Sequence, residues 1–473
     1  MALPTLRVRQ EQNRQRAFLA ATDLITGAGV VLLSVVGAFE PRTWPLVVEE
    51  GSSLFFLLPL CWVMSLFWHG QYEFDQRWLG LPGLYRNARA VFMGTLLAIA
   101  LGYFWIQDME MMRRFFLVAA CIASVVFSLE RMLAVKVFPR QVLSRRYVVL
   151  GKPRAESELV SALTQDRLPR YSEMLGFVVE NNGKESEQAE AADGNPLPVL
   201  GTYDQMPELM VERQVSNVAI SPDAPRTAGL AHAAARAEAM GATVERLETA
   251  YESLTGRAPV LLAGADWGES LESVRTHVYM TRWKRIVDLV VTLLVLPLAA
   301  VLIGLCGLAV KVLSPGPPFY HQRRVGKDGE EFVFTKLRTM IVDAEKHTGA
   351  VWAKKDDPRV TPIGGILRKL RLDELPQLFS VLRGDMSLVG PRPERPEFVS
   401  RFMEEIPFYE KRLLVRPGIT GWAQVNHRYD QDIDDVVEKL RYDLYYVRHV
   451  NFTLDLQILL RTFWVMIGRK GSQ

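Results

Sequence analysis

Apolar residues are concentrated in four stretches within the first third of the chain. They occupy residues 17–39, 52–68, 89–107 and 114–135. Each stretch is about long enough to cross ~30 Å of hydrocarbon as an α-helix, although the second and third are short for this purpose. The pattern therefore predicts four transmembrane helices within residues 1–140.

Charged residues between these stretches predict the orientation of the helices. Basic residues predominate before the first stretch, between the second and third, and after the fourth: Arg7, Arg9, Arg14, Arg16, Arg77, Arg86, Arg89, Lys136, Arg140, Arg145 and Arg146. Because such residues favour the cytoplasmic side, we expect the amino terminus and the chain after residue 136 in the cytoplasm. Two acids within the stretches, Asp23 and Glu130, are near helix ends, where we expect them at the membrane interface; a functional site within the membrane is the alternative.

A fifth apolar run, residues 286–313, has basic residues on both sides. Pro297 stands near its middle, where it removes a helix hydrogen bond and favours a bend. Since both flanks favour the cytoplasm, we expect residues 280–313 to form a re-entrant hairpin broken at Pro297. A kinked helix that crosses the whole membrane is the alternative.

Residues 141–265 alternate short β-rich runs, such as "YVVL" and "VSNVAIS", with helical segments. This alternation is typical of a doubly wound α/β unit, so we expect a Rossmann-like domain. A dinucleotide site would need a Gly-x-Gly-x-x-Gly turn after the first strand. Only Gly151 is present there, and Pro153 occupies part of the turn. Regulation or assembly is therefore the expected role of this domain.

Composition narrows the classes of function. The net charge of +3 is small, which argues against a nucleic-acid partner. The cysteines Cys61, Cys121 and Cys306 lie far apart in apolar runs and form neither a disulfide framework nor a CxxC metal site.

Two adjacent acids, Asp373 and Glu374, lie in the basic stretch "RKLRLDELPQLFSVLRGDMSLVGPRPE" at residues 368–394. A run of mixed charge alone is typical of a solvated helix face. Pro376 is well placed for the first turn of a helix, and a helix start offers free amides to an anion. One carboxylate there could attack phosphorus while Mg²⁺ shields the phosphate oxygens.

Basic residues around the acids fit an anionic substrate. Lys336 and Arg338 flank one residue of a strand-like run and would share a face, as a phosphate clamp requires. Arg323 and Arg324 precede them, and a patch that binds anionic lipids is the alternative for all four. Further on, the rigid "GPRPE" turn carries Arg392 between two prolines.

The glycine-rich segment "RPGITGWAQVNHR" at residues 416–428 has the composition of a binding loop. Gln424 and Arg428 are its candidate ligand-binding residues. The chain then ends in amphipathic helices rich in aromatic and basic residues, which favours packing at a membrane interface.

Together these motifs resemble the bacterial polyprenyl-phosphate glycosyl-1-phosphate transferases. The similar text is "KRIVDLVVTLLVLPLAA", "SPGPPFYHQRRVGKDGEEFVFTKLRTM", "DDPRVTPIGGILRKLRLDELPQLFSVLRGDMSLVGPRPE" and "RPGITGWAQVNHR". The resemblance implies a mainly helical cytoplasmic catalytic domain over residues 314–473. The preceding helices and Rossmann-like unit resemble the large members, which start exopolysaccharide or O-antigen synthesis at the inner membrane.

The resemblance also implies a reaction. A UDP-hexose, with glucose and galactose as the expected sugars, would give its sugar-1-phosphate to undecaprenyl phosphate and release UMP. Asp373 would be the nucleophile and a Mg²⁺ contact, with Glu374 assisting. Carried over by position in the motifs, Lys336, Arg368 and Arg392 would contact phosphate or nucleotide. A homodimer would be compatible with an enzyme of this kind.

Two other functions remain compatible with the sequence. One is an inactive membrane scaffold or nucleotide-sensing regulator, which the intact "LDELPQL" and "GPRPE" motifs disfavour. The other is an inverting glycosyltransferase that holds a metal with the acid pair and releases UDP. The nucleotide released distinguishes the three functions: UMP for the sugar-1-phosphate transferase, UDP for the inverting glycosyltransferase and none for the scaffold.

Overall fold

A computed structural model provides the structure of the chain. It describes residues 4–40, 42, 44, 54–72, 80–102, 109–137, 145–151, 172–181, 197–222, 224–261, 264–342, 344, 357–427 and 433–467. The chain divides into two compact units, Met1–Glu245 and Arg246–Gln473.

The first unit begins with four helices that pack on one another. They are α1 (Pro4–Ala38), α2 (Leu54–Trp68), α3 (Gly80–Gly102) and α4 (Met109–Val137). Their shared core includes Val31, Leu58, Trp62, Val91 and Phe127, all fully buried. The described parts of all four predicted apolar stretches are therefore helical.

Two segments of these helices, Arg16–Ala38 and Arg113–Ala134, are long and apolar enough to cross a membrane. The apolar segment Phe56–Trp68 is shorter. Four crossings, and their orientation, stay a prediction.

Asp23 of α1 is buried among the helices. Its carboxylate is fully buried and bonded to Arg131 of α4, and its position at the membrane interface stays a prediction. The two Arg131 Nη atoms donate to its two oxygens at 2.8 and 2.6 Å, and the Tyr72 hydroxyl donates at 2.6 Å. The ion pair, which joins residues 108 positions apart, offsets the desolvation cost of burying the two charges.

A five-stranded sheet follows in the first unit. Its strands are β1 (Arg145–Leu150), β2 (Ser172–Val179), β3 (Val199–Thr202), β4 (Asn217–Ile220) and β5 (Thr243–Arg246), in the order β3-β2-β1-β4-β5. The described pairings of β1 with β2 and β4, and of β2 with β3, are parallel. Two helices, α5 (Met206–Glu212) and α6 (Ala228–Ala239), connect later strands. This order is that of a doubly wound α/β sheet, as the sequence predicted.

The second unit contains the fifth apolar run. After α7 (Leu247–Thr255) and α8 (Ala265–Ser270), helix α9 extends from Lys284 to Leu313 without a break and contains Pro297. The segment Tyr279–Leu313 is long and apolar enough to cross a membrane. Its side chains Leu294 and Leu298 are 76% and 68% exposed, so this helix offers an apolar surface to its surroundings. The re-entrant path stays a prediction.

Short elements form the rest of this unit. They are the antiparallel pair β6 (Phe319–Val325) and β7 (Glu331–Leu337), helix α10 (Pro362–Lys369), helix α11 (Gln377–Arg383), strand β8 (Ser387–Val389), helix α12 (Pro396–Glu405), strand β9 (Gly418–Thr420), helix α13 (Trp422–Asn426), helix α14 (Ile433–His449) and helix α15 (Phe452–Ile467). Strands β8 and β9 pair in parallel. Val389, Leu440, Leu444 and Tyr446 are at most 1% exposed and lie in the core that supports these strands.

Candidate active site

The acidic pair lies on a single 3-10 turn between α10 and α11. Arg371 precedes the turn in the left-handed region, with φ of 55°, and the turn comprises Leu372–Glu374. Pro376 then forms the amino-terminal cap of α11. Neighbouring residues on such a turn point about 120° apart, so the two carboxylates face different surroundings.

Glu374 is bonded to an arginine. The Arg392 Nη2 donates to Glu374 Oε1 at 2.8 Å. Burial would raise the pKa of Glu374, but the charge and hydrogen bond of Arg392 outweigh it and hold that pKa below its ordinary value. Glu374 is therefore an ionised partner that orients Arg392.

Asp373 has different surroundings. Its side chain is 8% exposed, and no hydrogen bond reaches its carboxylate from the described residues. Burial and then the charge of Glu374 raise its pKa, while Lys336, Arg392 and Arg368 oppose this rise. A carboxylate oxygen that receives no hydrogen bond from the protein is available to bind a cation or to attack an electrophile.

Lys336 of β7 brings a cation to Asp373. Burial and the charge of Arg392 lower the pKa of the lysine to about 8, although Asp373 opposes the shift. Its ammonium also lies 5.5 Å from the ring centre of Tyr320 on β6. A phosphate bound nearby would stabilise the charged form of this lysine.

Arg368, on the last turn of α10, is the second cation of this group. Its Nε donates to the Thr339 hydroxyl at 2.8 Å, which fixes the direction of the guanidinium. Burial lowers its pKa and the Asp373 carboxylate opposes this. The structure thus brings Asp373, Glu374, Lys336, Arg368 and Arg392 together.

Other predicted binding residues have structural partners. The Arg338 guanidinium donates to the carbonyl oxygens of Ser314, at 2.8 Å, and Pro315. Because it closes the end of α9, only Lys336 of the expected clamp faces the acids. Arg324 donates to the Pro393 carbonyl at 3.0 Å, whereas Arg323 is 78% exposed and pairs with Glu331.

Gln424 lines a cavity of about 170 Å³ beside Glu374. Its Nε2 donates to the Ile419 carbonyl at 3.0 Å, and its buried Oε1 has no partner among the described residues. Arg428 lies outside the described residues. The sequence had not singled out Arg371 and Thr462, which also line this cavity, because their approach depends on the fold.

The acid pair could hold only a metal ion that takes one or two ligands from the protein. Within the residues that the structure describes, no group of three or more His, Cys, Asp or Glu side chains could hold an ion. Mg²⁺ commonly takes one or two carboxylates and completes its sphere with water and substrate phosphates. Asp373, whose carboxylate no protein donor engages in the described part of the chain, fits that requirement.

Comparison with known proteins points to one chemistry. Residues 279–469 match the family model described as bacterial sugar transferase. The chain is 40% identical over 230 residues to the UDP-N-acetylgalactosamine-undecaprenyl-phosphate N-acetylgalactosaminephosphotransferase of Aeromonas hydrophila, covering 49% of this chain and 53% of that protein. It is 52% identical over 149 residues to a putative undecaprenyl-phosphate N-acetylgalactosaminyl 1-phosphate transferase of Bacillus subtilis (strain 168), covering 32% of this chain and 79% of that protein.

A third relative carries a different sugar in its name. The UDP-glucose:undecaprenyl-phosphate glucose-1-phosphate transferase of Escherichia coli (strain K12) is 41% identical over 191 residues, which are 40% of this chain and 41% of that protein. The chain thus spans about half, or less, of the length of the Aeromonas and Escherichia proteins.

Proposed function

Because this chain belongs to the bacterial sugar transferase family, we propose that it transfers a sugar-1-phosphate from a UDP-hexose to undecaprenyl phosphate and releases UMP. The relatives' names support the acceptor and the class of reaction. They include N-acetylgalactosamine and glucose, so the expected sugars, glucose and galactose, are tested beside N-acetylhexosamines.

The observation that carries this proposal is the state of Asp373. Its buried carboxylate has no hydrogen bond from the described residues and lies within the electrostatic reach of Lys336, Arg368 and Arg392. A nucleophile needs an unencumbered oxygen, and a reaction between two phosphorylated substrates needs cations to offset their repulsion. Both requirements meet at this one residue.

The transfer proceeds in two displacements at one phosphorus atom. An Asp373 oxygen attacks the phosphorus that bears the sugar, the bond to the UMP oxygen breaks, and UMP leaves with that electron pair. A phosphate oxygen of undecaprenyl phosphate then attacks the same phosphorus. The acyl-phosphate bond breaks, which returns the Asp373 carboxylate and forms the diphosphate-linked lipid.

The remaining residues bind and orient the phosphates. Lys336 and Arg368 offset the negative charge that gathers near Asp373, and Glu374 holds the Arg392 guanidinium toward the same place. Asp373, assisted by Glu374, would hold Mg²⁺, which when bound supplies charge neutralisation at the phosphate oxygens.

The apolar surface of α9 supports a position at the membrane. Exposed leucines and valines along this helix would be solvated by lipid, so the site beside it would meet a lipid phosphate at the bilayer surface. The catalytic unit would then lie at the cytoplasmic face of the inner membrane, with α9 bent at Pro297 so that the helix enters and leaves on the same side.

The test is to identify the nucleotide that leaves. Purified protein with undecaprenyl phosphate, Mg²⁺ and a panel of UDP-hexoses and UDP-N-acetylhexosamines should release UMP with one of them. Release of UDP would indicate sugar transfer without phosphate, and no release with any donor would favour a scaffold.

A substitution locates the nucleophile. Asp373→Asn should abolish the lipid product and any phosphosugar adduct on the protein, because an amide oxygen is a poor nucleophile. Asp385→Asn is the matched control, since Asp385 pairs with Arg383 at 3.0 Å on the surface of the same unit. Turnover of Asp373→Asn near that of the control would exclude Asp373 as the nucleophile.

A further inference from the structure

Residues 391–394, the Pro-Arg-Pro-Glu segment that carries Arg392, are held by an unbroken row of hydrogen bonds. Each of the four backbone carbonyls accepts one bond, and the donors come from three places in the fold: β9, Arg412 and the end of β6. The donors are the Gly418 amide to Pro391 at 2.9 Å, the Arg412 Nη2 to Arg392 at 2.8 Å, the Arg324 Nη1 to Pro393 at 3.0 Å and the Val325 amide to Glu394 at 2.9 Å.

Because Arg392 lies between two prolines, the hydrogen bonds to the backbone carbonyls determine the direction of its side chain. Pro391 and Pro393 have no amide hydrogen and a fixed φ, so the segment cannot be positioned by its own donors at those residues. Carbonyl contacts must position it instead. A shift in the Arg392 carbonyl would therefore move the base of the Arg392 side chain, which reaches Glu374 at 2.8 Å.

Arg412 contacts that carbonyl from a buried network. It is 3% exposed, and its Nη2 also donates to Asp443 Oδ2 at 2.8 Å while its Nη1 donates to the Tyr409 hydroxyl at 2.9 Å. Asp443 is 2% exposed and balances the charge of the arginine. The Arg412 Nε donates to the same Asp443 oxygen at 3.2 Å, so all three guanidinium nitrogens have buried partners that fix the position of the side chain.

We propose that Arg412 is a positioning residue for the transfer: by holding the Arg392 carbonyl, it sets the direction in which the Arg392 guanidinium meets Glu374 and a substrate phosphate. This rests on the proposed function for its substrate. Arg412 itself does not touch substrate, because its charge is already paired with Asp443 behind the turn.

A purely structural role is the rival explanation, and a double-mutant cycle separates the two. The four proteins are wild type, Arg392→Ala, Arg412→Lys and the double variant. Lysine keeps the charge but cannot reach Asp443, Tyr409 and the Arg392 carbonyl at once. Each protein is assayed for kcat and KM of UMP release with the UDP-sugar that wild type uses, and for Tm.

If Arg412 acts through Arg392, Arg412→Lys should lower kcat/KM by roughly 10- to 100-fold, mainly in kcat, as outer residues of well-ordered sites do. In the Arg392→Ala background the same change should cost less than about 3-fold, since the group being positioned is gone. Equal losses in the two backgrounds would overturn the proposal, and so would full activity of Arg412→Lys.

Arg257→Lys is the matched control. Arg257 also binds a carboxylate and a tyrosine of α14, at 3.0 Å to Glu438 Oε1 and 2.9 Å to the Tyr442 hydroxyl. It should change kcat/KM by less than about 3-fold in both backgrounds. If Arg412→Lys does not fold, Asp443→Asn takes its place in the cycle. This change removes the charge that holds the Arg412 guanidinium and keeps the shape of the side chain.

The two proposals fail in different ways. Wild type that releases no UMP with any donor contradicts the proposed function. In that case, the affinity of the same four proteins for UMP still tests the positioning role. Arg412→Lys should lower this affinity only when Arg392 is present. Wild type that turns over with an additive cycle contradicts the positioning role alone.

Discussion

Deprotonation of Lys336 should make kcat/KM fall at mildly alkaline pH. The pKa of the lysine is about 8 in the free site because burial and Arg392 disfavour its charged form. Below that pH the ammonium can bind a phosphate, and above it the neutral amine cannot. We therefore expect kcat/KM to fall as pH rises through about 8.

The magnitude follows from the shift. An unperturbed lysine has a pKa of about 10.4, so keeping the charge in the free site costs roughly 3 kcal/mol. A phosphate charge about 4 Å away contributes roughly 4 kcal/mol at an effective dielectric constant near 20, which offsets that cost. Bound donor should therefore return the Lys336 pKa toward its ordinary range.

The assay is a pH profile of UMP release from about pH 6 to about pH 10. kcat/KM reports the free enzyme and should fall about tenfold for each pH unit above about pH 8, whereas kcat reports the complex and should fall only about two units higher. Lys336→Arg should remove the alkaline limb from kcat/KM, because arginine stays charged throughout this range. Brief exposure to the highest pH followed by assay near neutrality controls for inactivation.

Two results would refute this reasoning. One is a flat kcat/KM profile through and above pH 8 in wild type. The other is an alkaline limb that persists unchanged in Lys336→Arg, since the limb would then belong to another group.

Three further outcomes are expected. Since burial raises the pKa of Asp373, kcat/KM should also fall on the acid side at a pH above the ordinary carboxyl range near ~3.9, and a profile flat down to that range would contradict it. Arg338→Met should lower stability by roughly 2–3 kcal/mol, seen as a lower Tm, because it leaves the Ser314 carbonyl without its charged donor; a higher donor KM with unchanged Tm would favour the phosphate clamp instead. Asp23→Leu alone should cost roughly 3–5 kcal/mol by leaving Arg131 buried and unpaired, whereas adding Arg131→Met should restore most of the Tm; an unrestored double variant would refute the pairing argument.

Local patterns were enough to predict much of this protein. Long apolar runs predicted the described helices α1–α4 and α9, and the alternation after residue 145 predicted the parallel sheet. The motif around Asp373 predicted the family, because the acid pair and the Pro-Arg-Pro turn keep their order along the chain. These properties depend on residue type and spacing, which can be read directly from the sequence.

Roles that depend on partners could not be read in this way. Arg324, Arg338 and Arg392 look alike in the sequence, yet two of them hold backbone carbonyls and the third reaches Glu374. An arginine binds whatever acceptor the fold brings to it, and those acceptors lie between 18 and 69 residues away.

The sequence by itself determined the helices, the doubly wound middle sheet and the family to which the acid pair belongs. Only the tertiary structure showed the different surroundings of the two acids: the Asp373 carboxylate receives no hydrogen bond from the described residues, whereas Glu374 is bonded to Arg392. It alone paired Asp23 with Arg131 and placed Arg412 behind the turn. The physical reason is that desolvation and charge pairing are set by distances in space, and residues far apart in the chain supply those distances.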